Sequence, residues 1–238
     1  DMKNYIVCLK WGNKYGPEYV NKLYNMVSRN CTIPFEFVCF TENSEGISKD
    51  VQVLPLQTKT GVQGWWYKPM FFSSQLPLKG NILFMDLDVI VFRNIDKLFT
   101  YNPGKFCIIK DFPIPGKNRT FSKMNSSIFR LQTGQNSFIY DEFISDLSIT
   151  KKFHGDQDWI YHKLQDKEYE FWPESWIKSY KWGMLNTVRV NAYRNLKGEV
   201  VYKSDIEPKI EEETCISIFH GEPSPHNCID PWIKNNWI

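Results

Sequence analysis

No apolar run in this sequence reaches the roughly 18 residues of a membrane-spanning helix, so none is expected. No Cys-x-x-Cys pair occurs among the six cysteines, which argues against a zinc ribbon. There is no Gly-x-Gly-x-x-Gly and no Walker-type Gly-Lys-Ser/Thr, which argues against a dinucleotide oxidoreductase and a P-loop NTPase. Charge of one sign is scarce too. Lys+Arg number 29 and Asp+Glu 27, a net charge of +2, so binding of nucleic acid through bulk charge is not expected. Internal repeats and low-complexity linkers are absent, and the 238 residues are read as one α/β domain. Asp1-Met2-Lys3-Asn4 run straight into an apolar strand pattern with no secretory leader. Cys8, Cys39, Cys107 and Cys215 sit in apolar runs, as reduced buried thiols do. Together these point to a reducing, cytoplasmic location.

Aromatic residues, by contrast, are abundant at 16%, with nine Trp. They serve equally as core material or as platforms for flat ligands and sugar rings. Strand and helix patterns alternate in the first third. Residues 5–10 form an apolar run, Pro17 is placed to open a helix, and Tyr19, Val20, Leu23, Tyr24 and Val27 recur at helical spacing. Strands follow at 35–40 and 51–56, so parallel βαβ units are expected. A helix interrupted by Pro69 is read over 65–75. Further strands are read at 105–111 and 127–131, helices at 138–147 and 156–164, and a final strand at 214–219. Pro223, Pro225 and Pro231 predict an ordered loop rather than a helix in the tail.

The sharpest signal is Phe84-Met85-Asp86-Leu87-Asp88-Val89-Ile90-Val91. Two carboxylates interrupt what otherwise reads as one buried central strand over 82–92. Burying an unpaired carboxylate costs several kcal/mol, so a pair needs a strong reason. In a continuous strand, Asp86 and Asp88 share a face and repel each other unless a cation lies between them. Hard oxygen donors so placed suit Mn²⁺ or Mg²⁺. The bland alternative is a strand that ends at Met85 with both Asp in a solvated turn. The loop Lys10-Trp11-Gly12-Asn13-Lys14-Tyr15-Gly16 follows the first strand and offers cations and aromatics for a nucleoside; Lys10, Trp11 and Tyr15 are its candidate contacts.

The Asp-x-Asp segment, followed by Asn94-Ile95-Asp96-Lys97-Leu98-Phe99, resembles the nucleotide-sugar glycosyltransferases of the GT-A fold. Within these it is similar to the family of glycogenin and the bacterial lipopolysaccharide galactosyl- and glucosyltransferases (glycosyltransferase family 8). Other segments match in order across roughly residues 5 to 226. They are Trp66-Tyr67-Lys68-Pro69, Asn125-Ser126-Ser127-Ile128-Phe129, Asp156-Gln157-Asp158 and Phe219-His220-Gly221. The chain departs from the pattern at Ser224, where the family has a diphosphate-holding Lys, and at Ser127, where it has Gly.

The resemblance implies a GT-A domain with a mostly parallel sheet, its nucleotide-binding part about 1–110 and its sugar and acceptor part about 111–238. It implies a metal site of Asp86, Asp88 and His220, and Asp156 and Gln157 as catalytic residues beneath the donor sugar. Lys68, Asp86, Asn125, Ser126 and Gly221 join Lys10, Trp11 and Tyr15 as donor contacts. The expected cofactor is Mn²⁺ (or Mg²⁺), the donor a UDP-hexose, and the partner substrate a glycan or other hydroxyl acceptor. Retention at the anomeric carbon is implied as well. A sugar-1-phosphate nucleotidyltransferase and a non-catalytic carbohydrate-binding protein are the competing readings. Asp156 also fits a plain helix N-cap. Trp172, Trp176 and Trp182 are candidate sugar platforms that could equally be core.

Overall fold

The structure, a computed structural model, describes residues 2–58, 61–118 and 123–238. The first strand β1 (Asn4–Lys10) leads through a polar loop to α1 (Pro17–Asn30), whose first residue is the helix-opening proline. After β2 (Glu36–Thr41) and β3 (Gln52–Pro55) comes a 3-10 helix over Gly64–Phe72. Pro69 lies inside this helix; its missing N–H and fixed φ are poorly suited to the expected α-helix interior. Then follow β4 (Asn81–Met85), β5 (Val89–Val91), α2 (Asp96–Thr100), β6 (Cys107–Lys110) and β7 (Met124–Gln132). The second half holds α3 (Phe138–Ser145), α4 (Ile149–Lys152), α5 (Asp156–Leu164), β8 (Glu170–Phe171) and β9 (Ile177–Ser179). A π-helical turn over Tyr180–Met184, β10 (Asn191–Arg194), β11 (Val200–Lys203), β12 (Ile216–Ile218), a 3-10 turn over Pro225–Asn227 and α6 (Pro231–Asn236) follow.

Among the described residues, seven strands form the central sheet in the order β3-β2-β1-β4-β7-β6-β8. β3, β2, β1 and β4 are mutually parallel, whereas β7 runs antiparallel to both β4 and β6. Alternate residues of each strand feed opposite faces. Ile6, Cys8, Met85 and Ile109 enter one apolar cluster; Tyr5, Val7, Leu9, Phe84 and Ile108 enter the other. Burial on both faces explains why these strands read as continuous apolar runs rather than as alternating ones.

Two expectations are corrected. The apolar run over 82–92 is not one strand. It breaks after Met85, and Val89–Val91 moves into a separate three-stranded sheet of order β5-β12-β9. Asp86 and Asp88 therefore lie in a three-residue link between two sheets and do not share one strand face. The second correction is the tail. Pro231 does not exclude a helix but starts one, α6, because the first helical position needs no N–H donor.

The small sheet has a consequence for position. β12 pairs antiparallel with β5 through Ile218↔Val89 and parallel with β9 through Ile218↔Ser179. Its end therefore meets the start of β5 and the end of β9. Asp88, His220 and the turn carrying Trp182 are gathered at one corner. All six cysteines are free thiols. No helix among the described residues is long and apolar enough to cross a membrane.

Candidate active site

The carboxyl ends of β1 and β4 adjoin because the two strands pair directly, Val7 opposite Phe84. Open parallel sheets bind ligands at such ends. A cavity of about 130 Å³ lies there, walled by Trp11, Lys14, Tyr15, Lys68, Asp86 and Asp88 among others. Beside it opens a cleft of about 760 Å³, walled by Asn125, Asp156, Gln157, Asp158, Trp182 and His220, with Asp111, Phe112 and His154.

Lys68 is the electrostatic centre. Its side chain is 6% exposed, and Nζ lies 3.1 Å from Asp86 Oδ1 and 3.5 Å from Asp156 Oδ2. It also donates to the Ser126 carbonyl at 3.2 Å and to Ser126 Oγ at 3.3 Å. Burial alone would pull this ammonium's pKa down, but the carboxylates of Asp156 and Asp86 outweigh it, and the pKa is raised. Ser126 Oγ donates to Asp156 Oδ2 at 2.8 Å, and its backbone N–H donates to Gln157 Oε1 at 3.0 Å. The start of α5 is thereby stitched to β7. The N-cap of α5 is Gly155 and not Asp156, which is the first residue inside the helix and is buried against Lys68.

Asp88 is held differently. Tyr15 OH donates to its Oδ2 at 3.1 Å, and the Phe219 N–H donates to its carbonyl at 3.1 Å. Burial first, and the charge of Asp86 second, push its carboxyl up to about 7. The Tyr15 phenol is pushed up in turn, by burial and by Asp88. A hard divalent cation would relieve this crowding of negative charge. The donor set of Asp86 and Asp88 fits one in chemistry.

His220 stands next to Phe219 and so close to Asp88 in the chain's path. Its Nε2 lies 2.6 Å from Ser179 Oγ, and its ring packs on Trp182 at 4.0 Å between centroids. Burial, then the charge of Lys181, lower its pKa to about 4, so the ring is neutral at pH 7. Among the described residues no three His, Cys, Asp or Glu side chains are gathered tightly enough to hold a metal. The three residues expected as metal ligands, Asp86, Asp88 and His220, are therefore not gathered as one donor set: Asp86 pairs with Lys68, Asp88 accepts from Tyr15, and the His220 imidazole is turned toward Ser179.

The remaining expected residues are placed as follows. Trp11 and Tyr15 wall the small cavity. Lys10 is buried and directs Nζ to the Gly12 carbonyl at 3.4 Å. Asn125 lines the cleft and accepts the Ser127 N–H through Oδ1 at 2.9 Å. Gly221 adopts φ +59 in the loop after β12, where a Cβ would lie 3.6 Å from Lys181 Nζ. Of the three candidate sugar platforms, Trp182 lines the cleft. Trp172 is core, and Trp176 packs against Tyr101 at 5.3 Å. Residues that the sequence did not single out are Trp65, Asp111 and Phe112; adjacency of Trp65 to the Trp66–Pro69 segment was the one available signal.

No protein-family model matches the chain, and no curated protein matches it by sequence. Solved structures do match. The glycosyltransferase GlyE of Streptococcus pneumoniae TIGR4 superposes with a TM-score of 0.56 at 11% identity, covering 74% of this chain and 46% of that one. The galactosyltransferase LgtC, in complex with donor and acceptor sugar analogs, gives a TM-score of 0.61 at 10% identity, covering 93% of this chain and 88% of that one. The bifunctional glycosyltransferase WbbM gives 0.58 at 11% identity, covering 94% of this chain and 47% of that one. The chain thus spans less than half the length of GlyE and of WbbM. The likeness is one of fold. This chain has the mixed α/β architecture of the GT-A glycosyltransferases, with their large, mostly parallel central sheet.

Proposed function

We propose that this chain is a metal-dependent glycosyltransferase that moves a hexose from a UDP-sugar to an acceptor hydroxyl. The observation that carries the reading is the pairing of two spaces at the sheet's carboxyl edge. One is a small cavity with Asp86, Asp88, Lys14 and Lys68 in its wall; the other is a polar and aromatic cleft beside it. A carbohydrate-binding module has no use for two carboxylates at the end of a buried strand. The loop after β1 lacks the glycine-rich phosphate signature of a nucleotidyltransferase.

In this reading Asp86 and Asp88 would hold Mn²⁺ or Mg²⁺, with His220 at the edge of the site. A divalent cation, when bound, offsets the negative charge that grows on the departing diphosphate. Lys68 and Lys14 add fixed positive charge on the same side. Tyr15 orients Asp88 through its hydroxyl, and Trp11 offers an aromatic face to the nucleoside. Asp156 holds Lys68 in place and the Ser126 N–H fixes Gln157, so the polar edge of α5 is rigid where it borders the cleft. Asn125 and Gln157 then face the sugar. The nucleotide of the donor occupies mainly the part formed by residues about 1–110, and the sugar and acceptor the part formed by about 111–238. The whole reads as one domain working in the cytoplasm. The expected stereochemical course is retention.

The test is a panel of nucleotide-sugars assayed for hydrolysis with Mn²⁺ and with EDTA. Metal-dependent release of UDP from a UDP-hexose is expected, and NMR of the first-formed sugar reads the anomeric outcome. Equal turnover in EDTA, or none with any nucleotide-sugar, would overturn the assignment.

A further inference from the structure

Two consecutive tryptophans part company on the 3-10 helix. Trp66 is buried and stacks on Phe143, with ring centroids 5.5 Å apart and planes 13° from parallel. Trp65 is 44% exposed. Among the described residues it lines both spaces, the small cavity with Asp86 and Asp88 and the large cleft with Asn125 and Gln157. Its indole edge closes on the start of α5. A Cβ added to Gly155 would lie 3.2 Å from Trp65 Nε1 and 3.7 Å from Cδ1. The backbone of Gly155 is extended, with φ −162, so any residue could adopt it. A side chain there would crowd the indole, whereas the backbone itself would accept one. With Trp66 already anchoring the segment in the core, packing does not account for a second large aromatic left half in solvent.

We propose that Trp65 is a substrate-contacting residue that grips the hexose of the donor where the two spaces meet. The inference rests on the transferase reading above and deepens it. A nucleoside diphosphate joined to a hexose has to span both spaces, and the junction between them is Trp65. The indole presents a flat apolar face to the C–H face of a pyranose and an N–H to a sugar hydroxyl. UDP alone, seated in the small cavity, would leave the cleft side of the indole untouched. Trp65 thus separates affinity for the sugar from affinity for the nucleotide, and Gly155 sets the tilt of the ring.

The experiment is calorimetric titration in Mn²⁺ with UDP, UDP-glucose and UDP-galactose. It uses the wild-type chain, Trp65→Ala, Trp65→Phe and Gly155→Ala, with melting curves to confirm the fold. Trp65→Ala is expected to weaken at least one UDP-hexose by about fivefold or more while UDP changes by less than about twofold. Trp65→Phe should lose less. Gly155→Ala, which touches the ring only by crowding it, should show the same sugar-selective loss in smaller measure. Equal weakening of UDP and UDP-hexose would mean that Trp65 packs the nucleotide, and no change would mean that it is bare surface; either overturns the proposal. Failure of the wild type to bind UDP at all would sink the transferase reading itself, and this inference with it.

Discussion

Replacing Lys68 by Met tests the electrostatic centre of the site most directly. The lysine side chain and that of Asp156 are each 6% exposed, whereas Asp86 is 28% exposed. Removing the ammonium therefore leaves Asp156 as the buried, uncompensated charge. Breaking such pairs costs about 3–5 kcal/mol. The cost also has a ceiling, because an orphaned carboxylate can take up a proton. Holding a carboxyl of ordinary pKa about 3.9 in its neutral form costs about 4 kcal/mol at pH 7 and about 1.5 kcal/mol at pH 5. The sign follows from linkage. The folded variant then binds a proton that the unfolded chain does not, so its stability relative to wild type rises as the pH falls, by about 1.4 kcal/mol per pH unit in this window. At pH 7 a loss of roughly 3–4 kcal/mol should lower the melting temperature by roughly 6–16 °C for a chain of this size. Urea denaturation in EDTA at pH 7 and pH 5, relative to wild type at each pH, reads both numbers. The double variant Lys68→Met/Asp156→Asn removes the orphaned charge and should recover about 2 kcal/mol or more at pH 7. A loss below about 1 kcal/mol at pH 7, or one that does not change with pH, would refute the argument that Lys68 compensates a buried Asp156.

Three more expectations follow from the same geometry. Asp88→Asn should abolish transfer, by about 100-fold or more, while leaving the metal-free protein at least as stable as wild type, because it relieves repulsion from Asp86; activity within tenfold of wild type would rule out a metal role for Asp88. His220→Ala should weaken UDP binding in Mn²⁺ by roughly tenfold, about 1.4 kcal/mol, and leave binding in EDTA unchanged. Equal losses in both buffers would assign His220 to its contact with Ser179 alone. Burial pushes the thiols of Cys31 and Cys228 up to about 12 and those of Cys107 and Cys215 up to about 11. In the native protein at pH 8 these four thiols should therefore react slowly with a thiolate-selective disulfide reagent, and readily once the chain is unfolded.

What could be read from the sequence is what depends on near neighbours along the chain. The helix Pro17–Asn30 starts at the residue its proline marks, and α5 spans Asp156–Leu164 as its spacing predicts, because both signals lie within a few turns. The parallel strands announce themselves as apolar runs because both of their faces are buried. Asp86 and Asp88 stand out as candidates because charge inside such a run is costly wherever the chain goes.

Long-range pairing decided the rest. Only the hydrogen bonds of β12 to β5 split the run at Met85 and carried Val89–Val91 into a second sheet. The same strand brought His220 toward Asp88 across more than a hundred residues, then turned its Nε2 to Ser179 through the pairing with β9. Trp65 and Trp66, and likewise Trp172 and Trp182, are chemically alike and indistinguishable by local pattern. Contact with Phe143 made Trp66 core, and the meeting of two cavities left Trp65 half exposed. Residue type sets what a side chain can do, and a local pattern sets which helix or strand carries it. Which side chains face one another is a property of strands and helices paired across the whole chain, and it entered only with the tertiary structure.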